Sequence, residues 1–344
     1  MILRINKWLA LIGLAFFLSS CAKVEPEVVQ LQGNTMGTYY KITFVLDAEQ
    51  QKQASFANTQ LKAAIDKRLE LVNDQMSTYR VHSELSLFNQ SKQSFVVSKA
   101  TASVVKAALK IFKESQGAYD ISVGPLVNLW GFGPDKKPTK VPTDSMIATQ
   151  KTRVGSQYLS VQGTTLQKSL PDLYIDLSSI AKGYGVDVIA QYLQSLGINN
   201  YLVDIGGELR ANGMKPAQKP WTLAIERPTL GQNIEQVMHI GDNAVATSGD
   251  YRNYYEYDGI RYSHTIDPST GKPITHKLAS VTVIHKSCML ADGYATAITV
   301  LGPKAGLEFA KKHQLAVFLI VKEGDKFIES YTDAFKKYLV TGAP

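Results

Sequence analysis

Hydrophobic positions along the chain change between the two-residue spacing of strands and the three-to-four-residue spacing of helices. The segment YYKITFVL, residues 39–46, has the apolar content that predicts a buried strand. A helix ending near residue 73 is expected next, with an apolar face made of residues at helical spacing: Leu61, Ile65, Leu69 and Val72. Residues 100–116 predict a second helix, in which Val105, Leu109 and Phe112 face inward.

The middle and C-terminal parts of the chain mix predicted hairpins with one well-bounded helix. Strands and hairpins are expected in three segments: YLSVQGTTLQ (158–167), YLVDIGGELRANG (201–213) and ASVTVIHKS (279–287). Residues 181–197 predict a helix that stops at Gly197. This mixture favours an α+β fold, with layers of largely antiparallel sheet and helices in one or two subdomains, over a doubly wound parallel sheet.

One internal segment is irregular by composition. The stretch GFGPDKKPTKVP, residues 131–142, contains too much Pro and Gly for regular structure. It is therefore a candidate lid or joint between subdomains.

The N-terminus has the features of an export signal. Arg4 and Lys7 precede an apolar run at residues 8–18, which is far shorter than the ~20 residues that a membrane-spanning helix needs. The run ends in LSSC, which resembles a bacterial lipobox and implies cleavage before Cys21 and lipidation of that residue. The alternative is a chance cysteine in an ordinary signal.

Lipidation of Cys21 predicts a protein that faces the bacterial periplasm and is anchored to a membrane. The sequence does not distinguish the inner from the outer membrane. Several acyl chains would give durable anchoring. The predicted division of the chain is a lipoprotein signal peptide at 1–20, a tether at 21–32 and the folded domain at 33–340.

Composition narrows the classes of partner. The chain has 344 residues, 44% of them hydrophobic, which is enough for a large core in one domain or two. The formal charge of +7 includes Arg4 and Lys7, and basic residues neither cluster nor interleave with aromatic residues. Nucleic acid is therefore not an expected partner, whereas a small anionic substrate suits the mild positive charge. With Cys21 lipidated, Cys288 is the single remaining cysteine and no internal disulfide is expected.

The stretch YIDLSSIAKGYGVD is the first candidate for chemistry. It predicts a strand ending at Asp176, a Ser178–Ser179 pair suited to capping, and a helix whose first turn carries Lys182. A cation opposes the helix dipole at that end, which makes sense if an anion such as a phosphate binds there. The alternative is a capped helix with a solvated lysine.

The stretch CMLADGYATA is the second candidate. Asp292 and Thr296 are four residues apart, so on a helix they offer a carboxylate and a hydroxyl to the same point. Hard cations prefer oxygen ligands, and Mg²⁺ is commonly held by one or two carboxylates together with water and substrate phosphate. The pair is a candidate half of a magnesium site, and the alternative is that Asp292 caps the helix. The scattered histidines and lone Cys288 do not indicate zinc.

Two further stretches are weaker candidates. His264 and Asp267 precede the turn signal DPSTG, so His264 is a possible general base and Asp267 a possible orienting group. A purely structural histidine is the alternative. The stretches GNTMGTYY and GAYDISVG contain glycine-bracketed turns that bring backbone close to a partner, or that simply form hairpins.

Taken together, the motifs resemble one family, the ApbE family of FAD:protein FMN transferases, over residues 33–333. Eight motifs in this order carry the resemblance: NTMGTYY, MSTYR, GAYDISVGPL, IDLSSIAKGYGVD, VDIGGELRANG, ATSGDY, SHTIDPSTGKP and ADGYATA. The resemblance implies a T-fold-related α+β protein, often a periplasmic lipoprotein. It also implies use of Mg²⁺ to split FAD, transfer of FMN to a Thr or Ser hydroxyl of an acceptor protein, and release of AMP.

The resemblance also implies roles for individual residues. The expected FAD contacts are Met36, Tyr79, Ala118, Tyr119, Asp120, Asp176, Lys182 and Ile266. The expected metal ligands are Asp292, Thr296 and the main-chain oxygen of Ser179, and His264 falls at the catalytic histidine. Many members have Gly or Ala where this chain has Ser178 and Ser179, and a serine hydroxyl there competes for the metal. The expected acceptors are subunits of membrane redox complexes.

The chemistry of these residue types agrees with that activity. Displacement at a pyrophosphate needs its charge neutralised and the attacking oxygen held in line. Mg²⁺ and Lys182 supply charge, and His264 or a metal-bound carboxylate could activate the hydroxyl. Two other functions stay open. A lipid-anchored FAD carrier without chemistry needs the flavin pocket but not Asp292 and Thr296, whereas a FAD pyrophosphatase that yields FMN and AMP uses every residue named.

Overall fold

The computed structural model describes residues 25–134, 140–228, 234–249, 254–257 and 260–340. Its helices are α1 Asn58–Met76, α2 Glu84–Gln90, α3 Lys99–Glu114, α4 Gly124–Leu129, α5 Asp144–Lys151, α6 Ala181–Ser195 and α7 Cys288–Lys312. Its strands are β1 Glu27–Thr35, β2 Thr38–Leu46, β3 Ser94–Val96, β4 Leu159–Gln162, β5 Thr165–Lys168, β6 Tyr201–Ile205, β7 Glu208–Asn212, β8 Thr222–Glu226, β9 Ile234–His239, β10 Ala244–Gly249, β11 Tyr254–Tyr257, β12 Ile260–Ser263, β13 Ile266–Asp267, β14 Lys272–Pro273, β15 Leu278–His285, β16 Ala316–Glu323 and β17 Lys326–Tyr331.

An eight-stranded sheet organises the chain, in the order β1-β2-β6-β7-β10-β15-β16-β17. Every neighbouring pair in this sheet is antiparallel. Smaller antiparallel groups are formed by β3-β5-β4, by β8-β9, by β11-β12 and by β13-β14. The α+β fold class expected from the sequence is confirmed.

Both faces of the main sheet are covered, because its strands alternate their side chains between two cores. On β16, Val317 and Leu319 join a core with α3 and α7, whereas Phe318 and Ile320 join another beneath the β8–β9 hairpin. A third cluster packs α1 and α6 on β1, β2 and β6. Helices therefore lie on one face and the β8–β9 hairpin on the other, which leaves the site between them.

The helix boundaries follow local signals. Ser98 caps α3 by accepting a hydrogen bond from the Thr101 N–H. After α6, Gly197 adopts φ +75°, the left-handed conformation that ends helices and that glycine tolerates best. The predicted stop of this helix at Gly197 is confirmed. No helix within the described ranges has the length and hydropathy needed to cross a membrane.

The inward face predicted for α3 is corrected in part. Val105 is fully buried as expected, but Leu109 and Phe112 are only partly buried, and Ala108 and Ile111 take the core positions. The small Ala108 side chain lets the helix pack closely, so the buried stripe lies one residue before the expected one. Size, and not only hydrophobicity, therefore sets the orientation of the helix.

The predicted tether at 21–32 is also corrected, since residues 27–32 belong to β1. Val29 and Leu31 are buried and lie opposite Phe44 and Ile42 of β2. This alternation of apolar and polar residues makes β1 an edge strand of the folded body. The signal peptide and Cys21 lie outside the described residues, as do residues 135–139 of the predicted lid.

Candidate active site

A cleft of about 600 Å³ opens where the main sheet splits between β7 and β10. β10 pairs with β15 along all six of its residues, but with β7 only at Ala244 and Val245. Beyond Val245 the two strands part, and Glu208 of β7 and Thr247 of β10 line the space between them. The cleft thus opens at the point where the sheet splits, and strands β7 and β10 form part of its wall.

Most residues singled out from the sequence meet in this cleft. Its lining includes Ala118, Tyr119, Asp120, Asp176, Ser179, Lys182, His264, Ile266, Asp292 and Thr296. These residues come from loops and helices that are far apart in the chain, and the fold brings them to one place.

Met36 and Tyr79 do not line the cleft. Met36, with φ +50° in the β1–β2 turn, packs against two of the buried cores and approaches Gly185 of α6. Tyr79 is 67% exposed, and burial of the rest of the ring together with the nearby Asp176 carboxylate raises its pKa. Tyr79 is therefore close to the cleft residue Asp176, whereas Met36 supports the helix that carries Lys182.

Lys182 is a fixed cation in the cleft wall. From the first turn of α6, its ammonium forms an ion pair of 2.5 Å with Glu208 Oε1 on β7, and its side chain keeps 30% exposure. Burial disfavours the charge, but the carboxylates of Asp292 and Glu208 outweigh burial and the pKa of Lys182 is raised. The alternative of a solvated lysine is therefore wrong.

Helices α6 and α7 touch at their first turns, and Asp292 lies at the contact. The Gly183 N–H donates to Asp292 Oδ2 at 3.0 Å, so the carboxylate caps α6 from the neighbouring helix. The expectation that Asp292 caps its own helix is wrong, because Ser287 caps α7 through the Leu290 N–H. Only glycine fits at 183, since a Cβ there would lie 2.4 Å from the Cys288 carbonyl oxygen.

Asp187 makes the reciprocal contact, from α6 to the start of α7. Its Oδ1 accepts from Arg210 at 2.5 Å and from the Cys288 N–H at 3.1 Å. Its Oδ2 accepts from the Ser287 hydroxyl at 2.7 Å and the Met289 N–H at 3.1 Å. Each helix therefore supplies a carboxylate to the N-terminus of the other, which holds Lys182 and Asp292 in a defined relation.

The serine pair before α6 does not cap the helix. The cap residue is Ile180, with no side-chain hydrogen bond to the helix. The Ser179 hydroxyl instead donates to the Tyr119 hydroxyl at 3.0 Å, and the Ser178 N–H donates to Asp176 Oδ1 at 2.7 Å. The helix is capped instead by Asp292 of α7, through the Gly183 N–H.

Asp120 serves mainly to order its own loop. Its carboxylate accepts from the N–H and hydroxyl of Ser122 at 2.7 and 2.6 Å, and from the hydroxyl and N–H of Ser156 at 2.5 and 3.2 Å. Neighbouring Tyr119 is buried, and burial raises its pKa. Three of these four bonds go to Oδ1, so Oδ2 keeps acceptor capacity on the cleft, and the expected FAD contact at Asp120 stays a prediction.

His264 lies between β12 and β13, half-buried in the cleft wall and edge-on to Phe132 at 6.3 Å between ring centres. Asp267, the possible orienting group, binds elsewhere. Its Oδ1 accepts from the N–H and hydroxyl of Ser269, at 2.8 and 2.7 Å, and so holds the DPSTG turn.

The donor set at Asp292 fits a hard cation. Asp292 and Thr296 lie four residues apart on α7, so they share a face, and both line the cleft with Ser179. Asp292 is 5% exposed, and burial raises its pKa, so a nearby positive charge would favour the ionised form. Within the described ranges, no group of three or more His, Cys, Asp or Glu side chains could hold a metal. Oxygen donors of this kind suit Mg²⁺ better than zinc.

Two charged residues of the site were not singled out from the sequence. Glu208 pairs with Lys182, and Arg210 pairs with Asp187, so one strand, β7, braces α6 at two successive turns. The sequence signal that could have indicated Glu208 is the GGE tripeptide, residues 206–208, in which two turn glycines immediately precede the charged residue. A glutamate at the start of a hairpin strand is usually exposed, so burial could not be inferred without the sheet partners.

Comparison with known proteins shows which family has this sequence and architecture. The profile of the ApbE family matches residues 36–319. The FAD:protein FMN transferase of Vibrio cholerae is 49% identical over 337 residues, covering 97% of this chain and 99% of that protein. The FAD:protein FMN transferase of Escherichia coli K12 is 42% identical over 347 residues, covering 96% of this chain and 97% of that protein.

Solved structures agree with the sequence comparison. The flavin transferase ApbE from Vibrio cholerae superposes with a TM-score of 0.84 at 49% identity, covering 91% of this chain and all of that one. The apo form of the flavinyl transferase ApbE from Pseudomonas stutzeri also gives 0.84, at 39% identity, covering 93% of this chain and 99% of that one. Fold, cleft and sequence agree, and the chain belongs to the ApbE family.

Proposed function

We propose that the chain is an FAD:protein FMN transferase that uses Mg²⁺ to cleave the pyrophosphate of FAD, attaches FMN to a Thr or Ser hydroxyl of an acceptor protein, and releases AMP. The observation that carries this proposal is the meeting of Lys182, Asp292, Thr296 and His264 in one cleft. Near-full-length similarity to proteins named for this activity supports it.

The cleft suits a dinucleotide. Its volume of about 600 Å³ is within the usual range for ligand pockets, and its walls combine apolar side chains with backbone of the Gly206–Gly207 turn. Lys182 supplies a positive charge at the N-terminus of α6, where the helix dipole also favours an anion. The pyrophosphate would lie against this end of the helix, between Lys182 and α7.

Magnesium would be held by Asp292, Thr296 and the main-chain oxygen of Ser179. Among the described residues, Gly183 is the hydrogen-bond donor to Asp292 and uses Oδ2, which leaves Oδ1 for a cation. When bound, Mg²⁺ supplies neutralising charge for the pyrophosphate. Because the ligands sit on α7 and before α6, the reciprocal contacts between these helices set the shape of the metal site.

The remaining chemistry belongs to proton transfer and positioning. His264 lines the cleft as a proton carrier, able to accept a proton from the attacking hydroxyl or to donate one to the departing phosphate oxygen. A docked hydroxyl can reach an effective molarity of roughly 10⁵ M or more, far above the ~55 M of water, so transfer can exceed hydrolysis. His264→Ala is expected to slow transfer.

The decisive experiment measures both products. The protein is incubated with FAD, Mg²⁺ and a candidate acceptor, the acceptor is weighed by mass spectrometry, and AMP is quantified. Transfer predicts an acceptor that gains the mass of FMN with AMP in equal amount, and no labelling when the target threonine is changed to alanine. Free FMN formed at the same rate with and without acceptor would establish the pyrophosphatase alternative, and intact FAD the carrier alternative.

We further propose that Cys21 is lipidated and that the protein faces the periplasm, near acceptors in membrane redox complexes. The motif LSSC after a short apolar run supports this. Cys21→Ala should move the protein out of the membrane fraction while its transferase activity is retained. Equal membrane retention of both forms would refute the anchor.

A further inference from the structure

Glu208 enters the cleft from a tight turn. Gly206 and Gly207 have φ of +58° and +98°, and Ile205 pairs with Glu208 across them, so a two-residue hairpin joins β6 and β7. Glycine adopts two such positive angles in succession at the least cost, and Gly-Gly is one of the preferred pairs for this type of hairpin turn. The turn delivers Glu208 to the split between β7 and β10 with 4% of its surface exposed.

The two carboxylate oxygens of Glu208 have different surroundings. Oε1 forms the 2.5 Å ion pair with Lys182. Oε2 is buried and, within the described part of the chain, has no hydrogen-bond partner. A buried acceptor without a donor is unfavourable, and more so when charged, so Oε2 is expected to receive a donor from a bound molecule.

The identity of that donor follows from charge. Under the proposed function, Lys182 faces the pyrophosphate, and Glu208, which pairs with Lys182 and lines the cleft, would lie near phosphate oxygens. Phosphate oxygens carry no proton to donate at neutral pH and repel a carboxylate. A hydroxyl is the neutral donor that must lie next to the phosphorus, because it is the attacking group.

We propose that Glu208 Oε2 accepts the hydrogen bond of the acceptor protein's Thr or Ser hydroxyl and takes its proton during the attack, an inference that rests on the proposed function. The hydroxyl oxygen forms a bond to the phosphorus on the FMN side. The bond from that phosphorus to the bridging oxygen breaks, and its electron pair leaves with AMP. The proton moves to Glu208, and His264 remains to assist departure of AMP.

The surroundings of Glu208 support this role. Burial raises the pKa of its carboxyl above the usual range, which makes the carboxylate a stronger proton acceptor. The ion pair with Lys182 opposes this effect and keeps the carboxylate oriented. Glu208 is thus held by one oxygen, while the other is buried beside the cleft without a hydrogen-bond partner among the described residues.

Glu208→Gln tests the proposal, because glutamine keeps the size of the side chain but cannot take the proton. FMN transfer is expected to fall roughly 10²–10⁴-fold. FAD affinity, measured by quenching of FAD fluorescence without acceptor, is expected to be unchanged. Weaker FAD binding with an unchanged maximal rate would mean that Glu208 only holds Lys182 or contacts FAD, and would overturn the proposal. Glu323→Gln removes an exposed carboxylate at the end of β16 and serves as the charge-matched control.

Chemical rescue provides a second arm. Glu208→Ala leaves space beside Lys182 for a small carboxylate, so added formate should restore transfer in proportion to its concentration, whereas chloride should not. A slow variant without formate rescue contradicts a proton-accepting role. Wild-type protein that labels no acceptor would refute the transferase function itself, whereas active wild type with an equally active Glu208→Gln would refute only the role of Glu208.

Discussion

Gly183→Ala is the sharpest test of how the site is held together. A Cβ at this position would lie 2.4 Å from the Cys288 carbonyl oxygen, 2.7 Å from its carbon and 2.9 Å from Asp292 Cβ. Ordinary contact begins near 3.4 Å, so α6 and α7 must separate by about 1 Å. The Gly183–Asp292 hydrogen bond would then lengthen from 3.0 Å to about 4 Å and be lost.

The energy of this change follows from three terms. Overpacking costs about 1–3 kcal/mol, and loss of a hydrogen bond to a charged group costs about 1.5–3 kcal/mol. Alanine recovers up to ~1 kcal/mol because it favours the helix over glycine. The expected net destabilisation is about 1.5–5 kcal/mol. Since Lys182 and Asp292 move apart, FMN transfer should fall by about 10²-fold, the effect of a ~1 Å misplacement.

The assay compares Gly183→Ala with Gly185→Ala on the same helix. At Gly185 a new Cβ meets the flexible end of Met36, with Cε at 2.9 Å, so the helices need not separate. Thermal unfolding and acceptor labelling should therefore change much less in this control. Equal labelling rates in the two variants would show that the close approach at Gly183 does not set the geometry of the site.

Three further outcomes are expected. Asp292→Ala should abolish Mg²⁺-dependent cleavage of FAD, while titrations that follow quenching of FAD fluorescence still show binding. If the variant cleaved FAD at the wild-type rate across a Mg²⁺ titration, the metal would bind elsewhere. Asp187→Asn should leave the Arg210 charge buried without its partner and destabilise the fold by about 3–5 kcal/mol, measured by urea unfolding against Arg210→Lys, which keeps the charge pair. Burial lowers the pKa of Lys168 to about 8 from 10.5 in the unfolded chain, so stability should rise by at most about 3 kcal/mol as the pH increases through this window. Lys168→Met lacks the titrating group, so its urea midpoint should not show this rise in stability with pH.

Much of the architecture could be predicted from local patterns. The strand at residues 39–46 and the helix stop at Gly197 are set by side-chain spacing and by backbone conformations that few residues adopt. The ordered motifs identified the family, because each motif is a short segment whose residue types are sufficient to recognise it. Most of the site residues assigned from these motifs line the cleft. Asp292 and Thr296 share a face for the same reason, since helical spacing is a local property.

The partners of the charged groups could not be predicted in this way. Asp292 caps α6 instead of its own helix, and Asp187 caps α7, although 109 residues separate Asp292 from Gly183. Asp120, which lines the cleft as expected, also accepts hydrogen bonds from Ser122 and Ser156. Such pairings depend on which elements become neighbours in the sheet and at the helix contact.

Glu208 shows the physical reason for this difference. Its position after two glycines is visible in the sequence, but its burial results from β7 pairing with β6 on one side and parting from β10 on the other. Spacing and propensity act over a few residues, whereas desolvation and ion pairing act between whatever surfaces the fold brings together. The chemical groups of the site are therefore encoded locally, and their charge states and contacts arise from long-range packing.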